Sequence, residues 1–397
     1  MAARRQLGRV RRLVVKVGTG LITQPRLGPD PDRIAALAGD IAAVREGREV
    51  VLVSSGAIAT GMARLALTAR PRSIPEKQAA AAVGQSALMW HYEHAFKRHG
   101  LPVGQVLLTA HDIADRARYL NARNTLLALL KFGVLPVVNE NDTVAVEEIK
   151  VGDNDNLSAL VASLIDADLL VVLTDVDGLY TSDPAKDPAA TKLDAVETIT
   201  EEIERLVWDG AGAGSVGGMA TKLQAAQKAA AAGVPMVIAS GRKQGVLARI
   251  LKGESVGTYF APKADRLAAR KRWIAFAVAP QGRLTVDAGA QQALTEQGKS
   301  LLPSGVAKVE GDFAAGEVVA LVADGNGREF ARGLVNFDAH ELRRIQGAKT
   351  REIAQRLGYK SVDEVIHRDN LVMWGGHGDG GPRDGPPYPP DVRSSPA

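Results

Sequence analysis

Two lysines stand where an anion could be gripped: Lys16 runs into Val17-Gly18-Thr19-Gly20, and Lys222 follows the Gly-rich stretch GAGAGSVGGMAT. Glycines let a backbone approach an anion closely, and the start of a helix offers it free amides. Ser54-Ser55-Gly56-Ala57 adds hydroxyls and N–H groups in the same style. Carboxylates and amides gather in Asn139-Glu140-Asn141-Asp142, in Gly152-Asp153-Asn154-Asp155-Asn156 and in Thr174-Asp175-Val176-Asp177-Gly178. Two lysines on two phosphate-friendly turns point to a phosphoryl group in transfer, whose charge they would stabilise.

Other chemistries fit the same residues less well. Gly212, Gly214 and Gly217 have the spacing of a dinucleotide fingerprint, but the helical stretch EEIERLVWD precedes them instead of a strand. No acidic residue falls at the ribose position about 20 residues further on. A Walker-type loop fails as well, because no Gly-Lys-Ser or Gly-Lys-Thr follows the required gap. The run Asp153, Asn154, Asp155, Asn156 has the composition of a calcium loop, yet Leu157 stands where such a loop needs glycine. His91, His94 and His99 fall near helical spacing without a matching carboxylate pattern, which reads as a solvated helix face. Each remaining feature has an ordinary reading: a strand-end lysine, a Ser cap, a Thr-Asp turn. Their recurrence at successive strand ends is what argues for one pocket.

The elements that must carry them follow from the apolar runs. RRLVVKVG, REVVLVSSGA, LPVGQVLLT, GVLPVVNEND, DLLVVLTDVDG and VPMVIASG read as strands, with an amphipathic helix over residues 31–47 and Ala-rich helices between the later strands. Such alternation predicts an α/β fold of three layers, a mostly parallel sheet with helices on both faces. In that architecture ligands sit outside the carboxyl ends of the strands, where the polar segments fall. The texture changes to a basic connector over 263–272, and RWIAFAVAP, GRLTVDAGA, GVAKVEGDF, GEVVALVADGNGREFARGLVNFD and VIHRDNLVMW suggest a small β-rich module over 273–374. The Gly, Pro and Ser-rich residues 375–397 are expected to be a disordered tail, leaving residues 1–262 as the large domain.

Bulk properties agree with that division. A chain of 397 residues exceeds the size at which one hydrophobic core stops growing. With 46% hydrophobic and 24% charged residues it has material for a core, which argues against wholesale disorder. The excess of 49 Lys and Arg over 45 Asp and Glu favours anionic partners only weakly. The absence of cysteine removes disulfides, thiolate zinc sites and thiol nucleophiles together. The apolar stretch after the basic opening MAARRQLGRVRR is broken by Lys16 and Gly18, and no run approaches the roughly 18 apolar residues of a membrane helix. A cytoplasmic protein with no membrane partner is the expectation.

Several long segments also match a known family in order. VVKVGTG, VSSGAIATG, KQAAAAVGQ, VGQVLLT, LNARNTL, VNENDTVAVEEIKVGDNDNLSALVA, LTDVDGLYTSDP and GGMATKLQAA resemble the signature segments of the glutamate 5-kinases, in the amino acid kinase superfamily. The resemblance covers residues 11–262, and the module from Trp273 resembles the PUA domain appended to many members. It implies ATP and Mg²⁺ as cofactors and L-glutamate as acceptor, giving L-glutamyl 5-phosphate in the first step of proline biosynthesis. Lys16 and Lys222 would neutralise the phosphoryl group in flight, and Asp155 would hold the two lysines in place. Ser55, Asp142 and Asn154 would bind glutamate, with Asn139 lining the same pocket. Lys16, Thr174 and Asp175 would lie along the nucleotide, together with Val216, Gly217, Gly218, Met219, Ala220, Thr221 and Lys222. The chain departs from the pattern at Val216, where a threonine is usual, and at Gly20, where a serine is common.

The same resemblance implies proline as feedback inhibitor, a glutamyl phosphate reductase as pathway partner and a homo-oligomer, and leaves RNA open as a partner of the C-terminal module. The chemistry reads consistently. The acceptor carboxylate, with a pKa of about 4.3, is already ionised at neutral pH, so no general base is required. The obstacle is repulsion between an anion and a polyphosphate, which lysines, helix N-termini and Mg²⁺ offset. The second function class is an RNA-binding protein whose large domain is a catalytically silent scaffold. Arg343 and Arg344 supply charge to the C-terminal module, but few aromatics suited to base stacking accompany them.

Overall fold

The computed structural model describes residues 4, 6–144, 154–184, 186–208, 218–263, 274, 279–325, 327–360 and 362–373. The chain divides into two compact units, residues 1–266 and 267–397. In the larger unit the described strands, in chain order, are β1 (Arg12–Val17), β2 (Thr23–Gln24), β3 (Gly28–Pro29), β4 (Glu49–Val53) and β5 (Val103–Leu108). After them come β6 (Leu135–Glu140), β7 (Leu169–Thr174), β8 (Ala195–Val196), β9 (Met236–Ser240) and β10 (Thr258–Phe260). Eight of them form one sheet in the order β5-β6-β4-β1-β7-β9-β10-β8. All its pairings are parallel except that of β9 with β10. The six strands expected from the apolar runs are all present, as the contiguous block β5-β6-β4-β1-β7-β9 that begins at one edge of this sheet.

Period-two alternation decides which side chain meets which helix layer. Leu13, Val15 and Val17 of β1 join one buried cluster with Ile34, Leu37 and Ile41 of the Pro31–Val44 helix and Leu88, Tyr92 and Phe96 of the Ile74–Lys97 helix. Val14 faces the other way, into a cluster with Leu157, Val161 and Leu164 of the Asn154–Leu164 helix and Leu223, Ala225 and Ala226 of the Met219–Ala231 helix. Lys16 has the parity of Val14. It therefore comes out at the carboxyl end of the central strand on the side where those two helices begin.

Helix starts are written in local chemistry. Asp30 caps the Pro31–Val44 helix by accepting from the backbone N–H groups of Asp32 and Arg33, each at 3.2 Å, with Pro31 preset for the first turn. Ser73 and Glu76 form a reciprocal capping box for the Ile74–Lys97 helix. The Ala57–Arg64 helix starts from Gly56 at φ 95°, a left-handed conformation that glycine adopts without strain. It crosses the Ile74–Lys97 helix almost backbone to backbone: a Cβ on Gly61 would lie 1.7 Å from Ala80 O, and one on Gly84 1.9 Å from Ala57 O.

The smaller unit has a five-stranded sheet, β11 (Gly282–Val286), β12 (Val306–Gly311), β13 (Val318–Ala323), β14 (Glu329–Leu334) and β15 (Leu371–Met373), in the order β12-β11-β13-β14-β15. Its buried cluster, from Leu284 to Leu371 in the chain, includes Leu321, Phe337, Leu342 and Ile353. The later four strand signals expected there hold, but the unit also contains helices at Ala288–Gln297 and Ala339–Ile345. The first strand signal, RWIAFAVAP, lies outside the described residues except for Ile274, Ala279 and Pro280, as do residues 264–272 of the connector and the tail.

Candidate active site at the carboxyl ends of the sheet

A cleft of about 540 Å³ opens at the carboxyl ends of β1, β4, β6 and β7. Lys16, Ser55, Asp142, Asn154, Thr174, Asp175 and Lys222 all line it, so residues up to 206 positions apart in sequence converge on one surface. Gly18 and Gly20 complete the turn after β1.

Behind the lining sits Asp155, fully buried in the first turn of the Asn154–Leu164 helix. Its Oδ1 pairs with Lys16 Nζ, and its Oδ2 lies 3.1 Å from Lys222 Nζ. Lys16 and Lys222 are themselves 5% and 6% exposed, so all three charges are largely out of water. Burial pushes the Asp155 carboxyl up, but the two ammonium groups outweigh it and hold the acid below its usual range. One carboxylate thus positions two ammonium groups, and both lysines line the cleft. Thr221 Oγ1, 3.1 Å from Asp155 Oδ2 and 2.9 Å from Gly218 O, ties the start of the Met219–Ala231 helix to the same carboxylate. Ser158 Oγ donates to Asp155 O at 2.6 Å and fixes the first turn of the neighbouring helix.

Other lining residues are fixed as well. Ser54 Oγ and Tyr92 OH are 2.8 Å apart and buried beneath the turn that presents Ser55. Burial raises the Tyr92 pKa, so this hydroxyl stays a neutral hydrogen-bonding group. Thr174 Oγ1 donates to Asp175 Oδ1 at 3.0 Å at the end of β7. Asn154 Oδ1 is buried without a hydrogen-bond partner among the described residues, an acceptor left for whatever enters the cleft.

Not every expected residue reaches the cleft wall. Asn139 is not among the lining residues: its Nδ2 donates to Gln85 Oε1 at 2.8 Å, and its Oδ1 accepts from the Glu140 N–H at 2.9 Å. Alternation along β6 turns Glu140 into the cleft in its place, and sequence reasoning gave that residue no role. Gly218, Met219, Ala220 and Thr221 build the start of the helix that carries Lys222 and are not part of the described lining. Val216 and Gly217 lie outside the described residues, as does Asp153. Arg70, also unassigned from sequence, lines the cleft from the segment 65–73.

Among the described residues no group of three or more His, Cys, Asp or Glu side chains forms a metal cage. Mg²⁺ in phosphoryl-transfer sites needs none, since it keeps water and takes phosphate oxygens with one or two carboxylates. Glu140, Asp142 and Asp175 put carboxylates on the cleft, a donor set that fits Mg²⁺ carried in by a nucleotide. No helix among the described residues is long and apolar enough to cross a membrane.

The model of the amino acid kinase family matches residues 11–240, and that of the PUA domain matches residues 282–357. The chain is 54% identical over 370 residues to a glutamate 5-kinase of Moorella thermoacetica, covering 93% of this chain and 98% of that protein. It is similar at 53% identity to a glutamate 5-kinase of Syntrophotalea carbinolica, over 92% of this chain and 98% of the other. A glutamate 5-kinase of Paraburkholderia phymatum is likewise 53% identical, over 91% and 98% of the two chains.

Proposed function

This chain belongs to the amino acid kinase family, in its glutamate 5-kinase branch, and on that premise we propose that the cleft transfers the terminal phosphoryl group of ATP to the side-chain carboxylate of L-glutamate. The products are L-glutamyl 5-phosphate and ADP, the opening step of proline biosynthesis. The observation that carries the reading is the pair of buried lysines held on one buried carboxylate at the strand ends.

The reaction is a single displacement. A γ-carboxylate oxygen of glutamate forms a bond to the terminal phosphorus, the bond from that phosphorus to the bridging oxygen breaks, and ADP leaves with the electron pair. No proton has to move, because the nucleophile is already ionised. What the site must supply is charge: Lys16 and Lys222, prevented from drifting by Asp155, meet the negative charge on the transferring group. Mg²⁺ bound with the nucleotide would add further neutralisation there.

Asp142 suits the substrate ammonium group, and the unpartnered Asn154 Oδ1 offers a second acceptor for it. Ser55 and the amides that open the Ala57–Arg64 helix suit the acceptor's anionic oxygens. Thr174 and Asp175 lie on the nucleotide side, with the segment leading into Lys222. An acyl phosphate hydrolyses readily, so a glutamyl phosphate reductase is the natural pathway partner. Feedback by proline, a homo-oligomer, a cytoplasmic location and an RNA ligand for the PUA unit belong to the same proposal and rest on the family alone. A silent scaffold has no observation in its favour, since the charged cluster is assembled.

ADP release measured side by side with glutamate, aspartate and acetylglutamate, with hydroxylamine to trap the acyl phosphate, tests the reading. Hydroxamate from glutamate in large preference to the other two is expected. Equal turnover with acetylglutamate, or ADP without trapped product, would contradict it.

A further inference from the structure

We infer that Arg70 receives the α-carboxylate of the acceptor and so sets the requirement for a free amino acid. The inference rests on the glutamate reading above and deepens it. Glutamate brings three charged groups into the cleft: the γ-carboxylate that reacts, an ammonium group and an α-carboxylate. The first lies toward Lys16 and Lys222 and the second suits Asp142; the third has the Ser55 hydroxyl and the helix amides within the cleft but no full counter-charge from them.

Among the described residues three cationic side chains line the cleft: Lys16, Lys222 and Arg70. The two lysines share Asp155 and are committed to the phosphoryl group. Arg70 makes no ion pair and no side-chain hydrogen bond among the described residues. The lining carboxylates, Glu140, Asp142 and Asp175, would repel an α-carboxylate, so a cation on that wall is needed. A guanidinium is the side chain best shaped for a carboxylate, through two parallel N–H···O bonds.

Arg70 is exposed, but its backbone is not adrift. Pro71, which follows it, is buried, and a proline restricts the preceding residue to extended conformations. The segment 65–73 is also short and spans two helices whose crossing at Gly61 and Gly84 permits no spacing by side chains. Its side chain lines the same cleft as Ser55 and Asp142.

The test compares wild type, Arg70→Ala and Arg70→Lys on L-glutamate and on its α-amide, isoglutamine, used as substrate or as competitor. The amide keeps the ammonium and the γ-carboxylate and lacks only the α-charge. Arg70→Ala should raise the KM for glutamate about tenfold or more, leave kcat within about threefold and leave the isoglutamine KM or Ki within about twofold. Arg70→Lys should recover part of the loss, and an unchanged KM for ATP in both variants would show that the cleft remains folded. A glutamate KM that does not move, or an equal loss on glutamate and isoglutamine, overturns the assignment. Wild-type enzyme that yields no hydroxamate from glutamate would overturn the reading beneath it and this inference together.

Discussion

Asp155 is the residue on which the site turns, because it decides where two lysines can be. Burying a charge costs several kcal/mol unless it is paired and hydrogen-bonded, and here one carboxylate meets two ammonium groups. Lys16→Ala and Lys222→Ala should each lower kcat well over tenfold, with a smaller effect on the glutamate KM, since each removes a charge that matters most in the transition state. Near-normal turnover in both would dismiss the lysine pair as catalytic. Asp155 has its pKa depressed by the lysines, so its stabilising contribution is present above the ordinary carboxylate range and is lost as pH falls through the depressed folded value. Asp155→Asn should therefore lower the melting temperature at neutral pH and give a shallower decline of stability below about pH 4. Parallel acid curves for wild type and variant would show that another carboxylate governs that limb.

At the level of elements, the crossing of the Ala57–Arg64 and Ile74–Lys97 helices is what aims Ser55 and Gly56. Gly84→Ala would place a methyl group 1.9 Å from Ala57 O and force the helices apart. Overpacking of this kind typically costs about 1–3 kcal/mol, which should appear as a lower denaturant midpoint together with a higher glutamate KM. An unchanged midpoint would mean that the helices separate freely. The sequence made six contiguous strands legible because each is an apolar run bounded by polar or Gly-containing segments. It could not disclose β8, two residues long, or the antiparallel β10, since neither is long enough to show a period. The Ala288–Gln297 helix escaped for a related reason: only Leu294 is buried in it, so it has no apolar stripe. Within the site, the strand-end rule led to each polar segment that lines the cleft at a strand end, including the one that contains Glu140, although it gave Glu140 itself no role. Arg70 was invisible because it ends no strand and belongs to a basic segment that reads as ordinary surface.

The whole molecule contains cores that do not share residues: the clusters of the larger unit draw on Leu7 to Phe260, and that of the smaller unit on Leu284 to Leu371. Separate cores imply separate cooperative units, and a protein of that kind has no single unfolding free energy. Scanning calorimetry should resolve two endotherms. A ligand raises only the transition of the unit whose native state binds it, by an amount that grows with concentration over affinity. ATP with glutamate should displace one endotherm upward and leave the other in place. Short RNA oligonucleotides, if they bind, should displace the second alone. One endotherm that moves as a whole with the nucleotide would mean that the two cores melt as one. If they melt independently, heat becomes an assay that assigns any future ligand to its half of the chain without a crystal or a mutation.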